Sequence, residues 1–332
     1  MHSRKPLSGT HKYHKMYKSI MALKKAVLNK TVVPQHQCAT SGKQDIACAL
    51  RKDAMQATSR QVPIDAILCV EFDMLGMCAG RQEIRERYEN NVQKVMDSVS
   101  RQLGFGAVQG ADGKRLCDAI SNAEENMLFP LLSGAFRDVL KASFSEKSTV
   151  VASVEDGKFN CYSSTVLLAD VLLRLGKPIE VITAPGHVFL SGGKYAFETT
   201  VHLTPLTFHT AELGSRYPFH QKTGVEMLEA AAWNNKGTEL EKKGMFRQST
   251  AAYSNALKIN PNDAEVLYNL SIVYFNLEQF DDAIATCNKL LDLNPKDVNA
   301  LKNLARSLAK TGKHVRALMA LSKARSYERD DW

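Results

Sequence analysis

Hydrophobic residues recur at helical spacing through the central part of the chain. A first apolar stretch begins near Ile64. A longer one runs from Gln82 to Leu103, with apolar residues three or four positions apart, which predicts a helix with one buried face. Its apolar positions are Ile84, Tyr88, Val92, Val95, Met96 and Val99. After a glycine-rich connection, Leu116 to Phe144 has the pattern of a further helix, which we expect Pro130 to interrupt.

From Lys158 the pattern changes to one helix followed by strands. The helix is predicted over Cys161 to Leu175. The segment Ile179 to Thr183 is rich in β-branched residues, which favour strands. A helix followed by adjacent strands is typical of an α+β domain. The polar, proline-containing segment from Thr204 to Thr223 indicates a connection, and we place a domain boundary there.

Two short strands joined by a Gly-Gly turn at residues 192–193 form a predicted β-hairpin. With Ser191 opposite Lys194, counting outward places His187 directly opposite Glu198. Alternation then separates these two side chains from a core face. The predicted core face consists of Val188, Leu190, Tyr195 and Phe197. Cross-strand neighbours are close enough to hydrogen-bond, so a histidine–carboxylate pair is expected.

Cys161 stands at the start of the predicted helix, near its positive end. This placement favours a thiolate by lowering the pKa of the thiol. A helix-start thiol, with an imidazole that a carboxylate holds, is the arrangement that acyl-transfer chemistry uses. A structural thiol is the alternative for Cys161. A Cys–His zinc site would lack a third and a fourth ligand at a suitable spacing, so no metal is expected.

One segment, residues 110 to 205, resembles the transglutaminase-like superfamily, and the match is closest from Phe159 to Thr200. Members of that superfamily carry a Cys at a helix start and a His and an Asp on adjacent strands. The resemblance implies a papain/transglutaminase-like α+β fold. It also implies that Cys161 is the nucleophile, His187 its base and Glu198 the orienting acid. Glu198 departs from the usual Asp, and no oxyanion donor upstream of the Cys can be identified.

Four columns of residues recur with a period of 34 between Trp233 and Ala324. The columns are Trp233, Leu267, Leu301; Gly237, Ser271, Ala305; Ser249, Ala283, Ala317; and Ala256, Leu290, Ala324. This period and its small residues match the tetratricopeptide repeat (TPR), a helical pair that stacks into a solenoid with a concave binding surface. Three repeats are predicted at about 230–263, 264–297 and 298–331. Pro261 and Pro295 close the first two. A transglutaminase-like domain followed by such repeats, with the Pro-Gly-His sequence of Pro185 to His187, is similar to the SirB1-type proteins, of which many lack the nucleophile.

One column of the repeats consists of Asn235, Asn269 and Asn303, which resembles the asparagine ladder of the O-linked N-acetylglucosamine transferases. An amide side chain matches the donor and acceptor of an extended peptide, so this column is the predicted peptide-binding site. The alternative is that these residues satisfy neighbouring helix ends. The positions of the carboxylate clamp found in TPR co-chaperones hold Asn234, Thr238, Asn269, Asn299 and Asn303. Without the basic residues of the clamp, a Hsp70 or Hsp90 tail is not the expected ligand.

The basic charge of the chain is concentrated at its beginning. The formal net charge is +8, but residues 1 to 44 hold nine Lys or Arg and no acidic residue, so the remainder is close to neutral. We expect residues 1 to 62 to be a basic, poorly ordered tail, and we rank nucleic-acid binding last among the functions.

The absence of long apolar runs predicts no membrane span. Seven scattered cysteines indicate reduced thiols and a cytoplasmic protein.

These observations predict a tail at 1–62, a transglutaminase-like domain at 63–225 and three TPR repeats at 226–332. The expected function is cysteine-dependent acyl transfer or hydrolysis on a polypeptide amide, without a cofactor, with a protein or peptide held by the repeats. Transglutaminase, deamidase and protease chemistry stay open, because they share this machinery. The alternative is an inactive protein-interaction scaffold built on the same folds.

Overall fold

The computed structural model describes residues 61–330 except residues 78, 107, 109, 124, 146–148, 185, 202, 203 and 219. The described chain forms two compact units. One contains Gln82–Val225, and the other contains Pro63–Arg81 together with the residues from Glu226 onward. The tail predicted at 1–62 lies outside the described residues except for its last two positions. Within the described part, no helix is both long and apolar enough to cross a membrane.

Helix α1 (Ile64–Leu75) belongs to the unit that contains the repeats. Its apolar side, including Ile67 and Phe72, is buried, and it packs against the helix Met227–Lys242. An ion pair joins Asp73 of α1 to Lys236 of that helix. This assignment differs from the predicted amino-terminal domain at 63–225, which includes residues 63–81. Periodicity identifies the buried face of a helix but not the partner that covers it.

The helices of the first unit follow the predicted periodicity. They are α2 (Arg81–Leu103), α3 (Gly110–Ser121) and α4 (Glu125–Leu140). The predicted apolar face of α2 is buried, with Tyr88 and Val92 fully inaccessible. Pro130 lies within α4. The predicted helix is interrupted between Ser121 and Glu125, where α3 ends and α4 begins, and not at the proline. Phe129 and Leu132 are both buried next to Pro130, and this packing stabilises the helix despite the missing backbone donor.

A short parallel pair, β1 (Ser143–Phe144) and β2 (Lys158–Phe159), encloses helix α5 (Val150–Asp156). Helix α6 (Cys161–Arg174) starts directly after β2. Asn160 caps it, because its side chain accepts from the Ser163 amide at 2.9 Å and its own amide donates to the Ser163 hydroxyl at 3.1 Å. This capping box fixes the first residue of α6, which is Cys161.

The remaining strands form one antiparallel sheet of order β6-β5-β4-β3-β7. They are β3 (Glu180–Ala184), β4 (His187–Ser191), β5 (Tyr195–Val201), β6 (Thr204–His209) and β7 (Gln221–Thr223), and helix α7 (Leu213–Arg216) lies between the last two. The segment 204–223, which the sequence analysis took for a connection, therefore supplies both edge strands. Its few apolar residues, among them Phe208 and Leu213, are buried on the sheet, so a short amphipathic strand pattern was mistaken for a polar linker.

Both faces of this sheet are covered. On one face Phe197 packs against Phe129 of α4, with ring centroids 4.7 Å apart. On the other, Phe189 and Ala196 are buried in a cluster with Phe208. The predicted core face is buried at Val188, Leu190 and Phe197, and the face that carries His187 and Glu198 is covered as well. The residues beside His187 and Glu198 lie in a second layer of core.

The repeats form three antiparallel helical pairs. They are α8 (Met227–Lys242) with α9 (Phe246–Ile259), α10 (Ala264–Asn276) with α11 (Phe280–Leu293), and α12 (Val298–Lys310) with α13 (His314–Asp330). The small residues of the 34-residue columns are buried at the helix contacts. A Cβ atom on Gly237 would lie 2.5 Å from the Tyr253 ring. Asp263 and Asp297 cap α10 and α12, each two residues after the prolines that follow the preceding helices.

Candidate functional site

The hairpin that carries His187 and Glu198 has a different register from the predicted one. Leu190 pairs with Phe197, and Ser191 pairs with Ala196. The turn therefore contains residues 193 and 194, and the register is offset by two residues. Two residues are one full period of side-chain alternation, so the offset leaves the two candidate side chains on one face and makes them diagonal rather than direct neighbours.

His187 and Glu198 are in contact despite the offset. Nε2 of His187 lies 3.5 Å from Oε1 of Glu198, and only 7% of the Glu198 side chain is exposed. The other ring nitrogen, Nδ1, is buried and has no hydrogen-bond partner among the described residues. When the Nε2–H faces the carboxylate, Nδ1 is the nitrogen that can accept a proton.

Tyr217 completes this contact, and the sequence analysis missed it. Its hydroxyl donates to Oε2 of Glu198 at 2.5 Å, and its ring meets His187 edge-on at 5.9 Å. Burial, followed by the neighbouring carboxylate, raises the pKa of Tyr217 well above its ordinary value, so the hydroxyl stays a donor. Tyr217 lies just after α7, in the segment taken for a connection, and no local pattern singles it out.

The Cys161 thiol reaches the same region from the start of α6. The backbone amides of Val188, Tyr162 and Cys161 itself lower the pKa of the thiol, and the charge of Glu198 raises it. Val188 follows His187 directly, so the thiol and the imidazole approach the sheet at adjacent residues of β4. No hydrogen bond joins Nδ1 of His187 to the described Cys161 thiol in this structure.

The pKa of Cys161 is shifted in the direction opposite to the prediction. Burial raises it, and this effect exceeds the lowering by the three backbone amides. The helix start was expected to lower the pKa, but a sequence does not show how far a thiol is removed from water. At neutral pH the raised pKa therefore keeps Cys161 as a neutral thiol.

The described residues place no group of three or more His, Cys, Asp or Glu side chains where it could hold a metal ion. The four cysteines within this range, Cys69, Cys117, Cys161 and Cys287, are free thiols.

The asparagines predicted to read a peptide differ in exposure and in partners. Asn235 is exposed. The Asn269 side-chain amide donates to Oδ1 of Asn234 at 3.5 Å, and that of Asn303 donates to the Ser271 hydroxyl at 3.3 Å. Each bond joins the first helices of neighbouring repeats, which favours the internal role that was the alternative for these two residues. An amide has a second N–H and a carbonyl, so both functions are compatible.

Comparison with known proteins supports the repeats. The tetratricopeptide repeat family matches residues 240–308. The photosystem I assembly protein Ycf3 of Synechococcus sp. (strain WH7803) is 34% identical over 88 residues, which are 26% of this chain and 51% of that protein. The Hsp70-Hsp90 organising protein of Plasmodium falciparum is 32% identical over 67 residues, 20% of this chain and 12% of that protein. A crystal structure of MamA, at 22% identity, covers 31% of this chain and 60% of that chain with a TM-score of 0.30.

These relatives confirm the TPR prediction for the carboxyl-terminal region and support a role in protein–protein interaction. This chain spans about half the length of Ycf3. The exclusion of chaperone tails as ligands is not supported, since a Hsp70-Hsp90 organising protein is among the similar proteins. The comparisons give no evidence for the transglutaminase-like resemblance.

Proposed function

We propose that this protein performs cysteine-dependent acyl transfer or hydrolysis on a polypeptide amide, in a transglutaminase-like domain. The observation that carries the proposal is the orientation of His187. Its Nε2 faces Glu198, which Tyr217 holds from the other side, and its buried Nδ1 has no partner among the described residues. An imidazole held in this way has one nitrogen ready to act as a general base.

The chemistry follows from these groups. The Cys161 sulfur attacks the amide carbonyl while its proton passes to Nδ1 of His187. His187 then gives that proton to the departing amine, and a thioester remains on Cys161. Water or an amine then attacks the thioester carbonyl and gives a proton to Nδ1 of His187. The C–S bond breaks, the acyl group leaves as an acid or a new amide, and the proton returns from His187 to the Cys161 sulfur. The amides that lower the pKa of the thiol, including that of Val188, are the proposed oxyanion donors.

The raised pKa of Cys161 favours one version of this chemistry. A thiol that burial keeps neutral must lose its proton during the attack, so the proposed mechanism depends on His187 as a base throughout. A mechanism that started from a preformed thiolate would need His187 less, because no proton would leave the sulfur during the attack.

The repeats are proposed to hold the polypeptide. Asn235, Asn269 and Asn303 are the proposed contacts with its backbone. Asn269 and Asn303 keep hydrogen-bonding capacity beyond their internal bonds, and Asn235 is exposed.

Alkylation by iodoacetamide, read by mass spectrometry as a function of pH, tests the site. Cys117 is a matched internal control, because it lies in the same unit, is also partly exposed, and burial raises its pKa too. We expect Cys161 to react faster than Cys117 in the native protein. In His187→Ala the two rates should converge. Cys161→Ala should then abolish acyl transfer from a glutamine-containing peptide to a labelled amine, or hydrolysis of that peptide.

An inactive scaffold is the second candidate. It is favoured by the burial of the thiol and by the missing hydrogen bond between Cys161 and His187. Equal rates for Cys161 and Cys117, unchanged by His187→Ala, would establish this candidate and refute the catalytic one.

A further inference from the structure

The first helix of the last repeat carries three cations on one exposed side. Lys302, Arg306 and Lys310 follow one another at four-residue spacing in α12, and no acidic residue occurs in this helix. All three are exposed. Side chains four residues apart lie above one another on a helix, so these charges form a single row, here called the cationic stripe.

Arg306, the middle residue of the cationic stripe, lies on the side of α12 that meets α10. The guanidinium of Arg306 lies over the Phe275 ring of α10, 4.5 Å from its centroid. Asn303, beside the stripe, donates to Ser271 of the same helix. Stacking on an aromatic ring orients a guanidinium and leaves its edge N–H groups available for a carboxylate. At Arg306 the stripe therefore borders the row of first helices that contains the asparagine column.

The stripe is incompletely neutralised within the protein. Lys302 pairs with Glu328 at 2.5 Å, and both side chains are more than 40% exposed. Neither Arg306 nor Lys310 has a carboxylate within ion-pair distance among the described side chains. An exposed ion pair contributes little to stability, so a ligand carboxylate can replace Glu328 at Lys302.

We propose that the cationic stripe binds an acidic peptide segment, rich in Asp or Glu, whose carboxylates meet Lys302, Arg306 and Lys310. The partner is assigned from charge complementarity and from the orientation of Arg306 beside a column of amides. The proposal rests on the proposed role of the repeats in holding a polypeptide, and it adds the chemical class of that polypeptide.

Fluorescence anisotropy with the full-length protein tests the proposal, using a labelled glutamate-rich peptide and its glutamine-substituted counterpart at low salt. The variant Lys302→Gln/Arg306→Gln/Lys310→Gln should weaken binding of the glutamate peptide by about tenfold, since each exposed charge contact contributes modestly. The matched control is Arg247→Gln/Lys258→Gln/Lys289→Gln, which removes equal charge from exposed positions of α9 and α11. It should bind as the native protein does. Glu328→Gln should strengthen binding, because it removes the internal competitor for Lys302.

Three results would overturn the proposal. Equal weakening in both triple variants would show an effect of net charge alone. Tighter, stripe-dependent binding of a single-stranded RNA of matched charge would assign the surface to nucleic acid. Binding of the two peptides with equal affinity, unaffected by the stripe variant, would leave the repeats as a polypeptide-binding array and remove the stripe from it. Circular dichroism of each variant confirms that the helices are intact.

Discussion

Replacement of Tyr217 with Phe isolates the hydrogen bond that holds Glu198. The change removes the hydroxyl that donates to Oε2 at 2.5 Å. It keeps the aromatic ring, whose centroid lies 5.0 Å from that of Phe189 and 6.2 Å from that of Phe208. The packing of the second core layer is therefore preserved, and the perturbation is confined to one polar contact.

The expected loss follows from the burial of the carboxylate. A hydrogen bond to a charged group contributes about 1.5–3 kcal/mol, and a buried acceptor that loses its donor is poorly compensated by water. Glu198 is 5% exposed. We therefore expect the strands around it to lose about 2 kcal/mol of local stability. A loss of this size lowers the protection of backbone amides against hydrogen exchange by about thirtyfold.

Native-state hydrogen exchange read by mass spectrometry measures this change in peptides that cover β4 and β5. It reports one region at a time, which suits a chain with two units. Tyr195→Phe is the control, since it removes the hydroxyl of a half-buried tyrosine in β5 itself. Unchanged protection in Tyr217→Phe, or an equal loss in the control, would refute a specific role of Tyr217. If the role is correct, the difference in alkylation rate between Cys161 and Cys117 should also shrink.

Two further predictions concern the repeats. Cys287 is fully buried, and burial raises its pKa from 9.0 to about 11. Above pH 9 the thiol loses its proton in the unfolded chain but keeps it in the folded one. The free energy of unfolding should therefore fall by about 1.4 kcal/mol per pH unit as the pH rises from 9 towards 11. Urea unfolding at pH 8.5 and 10, followed by tryptophan fluorescence, should show a fall in the free energy of unfolding that Cys287→Ala largely lacks. Equal falls in the two proteins would contradict the assignment. Gly237→Ala should destabilise the repeats by about 2 kcal/mol, because overlap of the new Cβ with the Tyr253 ring exceeds the gain in helix propensity. In a Tyr253→Leu background the same change should be stabilising, and a cost that persists there would place the clash elsewhere.

The repeats were predictable because their contacts are local and recur at a fixed period. The 34-residue columns identified the small residues at the helix contacts, such as Gly237 against Tyr253, and the proline positions marked the ends of α9 and α11. Each contact joins residues of one repeat or of two neighbouring repeats, so the same residue types recur at the same positions of every repeat. The partner of α1 was not predictable in this way, since its contact with α8 spans the whole first unit.

The candidate site was predictable only in part. Alternation correctly placed His187 and Glu198 on one face, although the turn was wrong by one residue and the register by two. The contact between the two side chains survives this error because both registers preserve the face. Tyr217 could not be found, since its link to Glu198 depends on how a later segment folds back over the sheet.

The sequence by itself determined the repeat array, the helix that begins at Cys161 and the face shared by His187 and Glu198. These features depend on period, capping and alternation, which act over a few residues. Only the tertiary structure decided the direction of the pKa shift of Cys161, the third member of the contact at Glu198, and the placement of α1 with the repeats. Each of these depends on what lies next to a side chain in space, and burial and long-range contacts leave no local periodic trace in the chain.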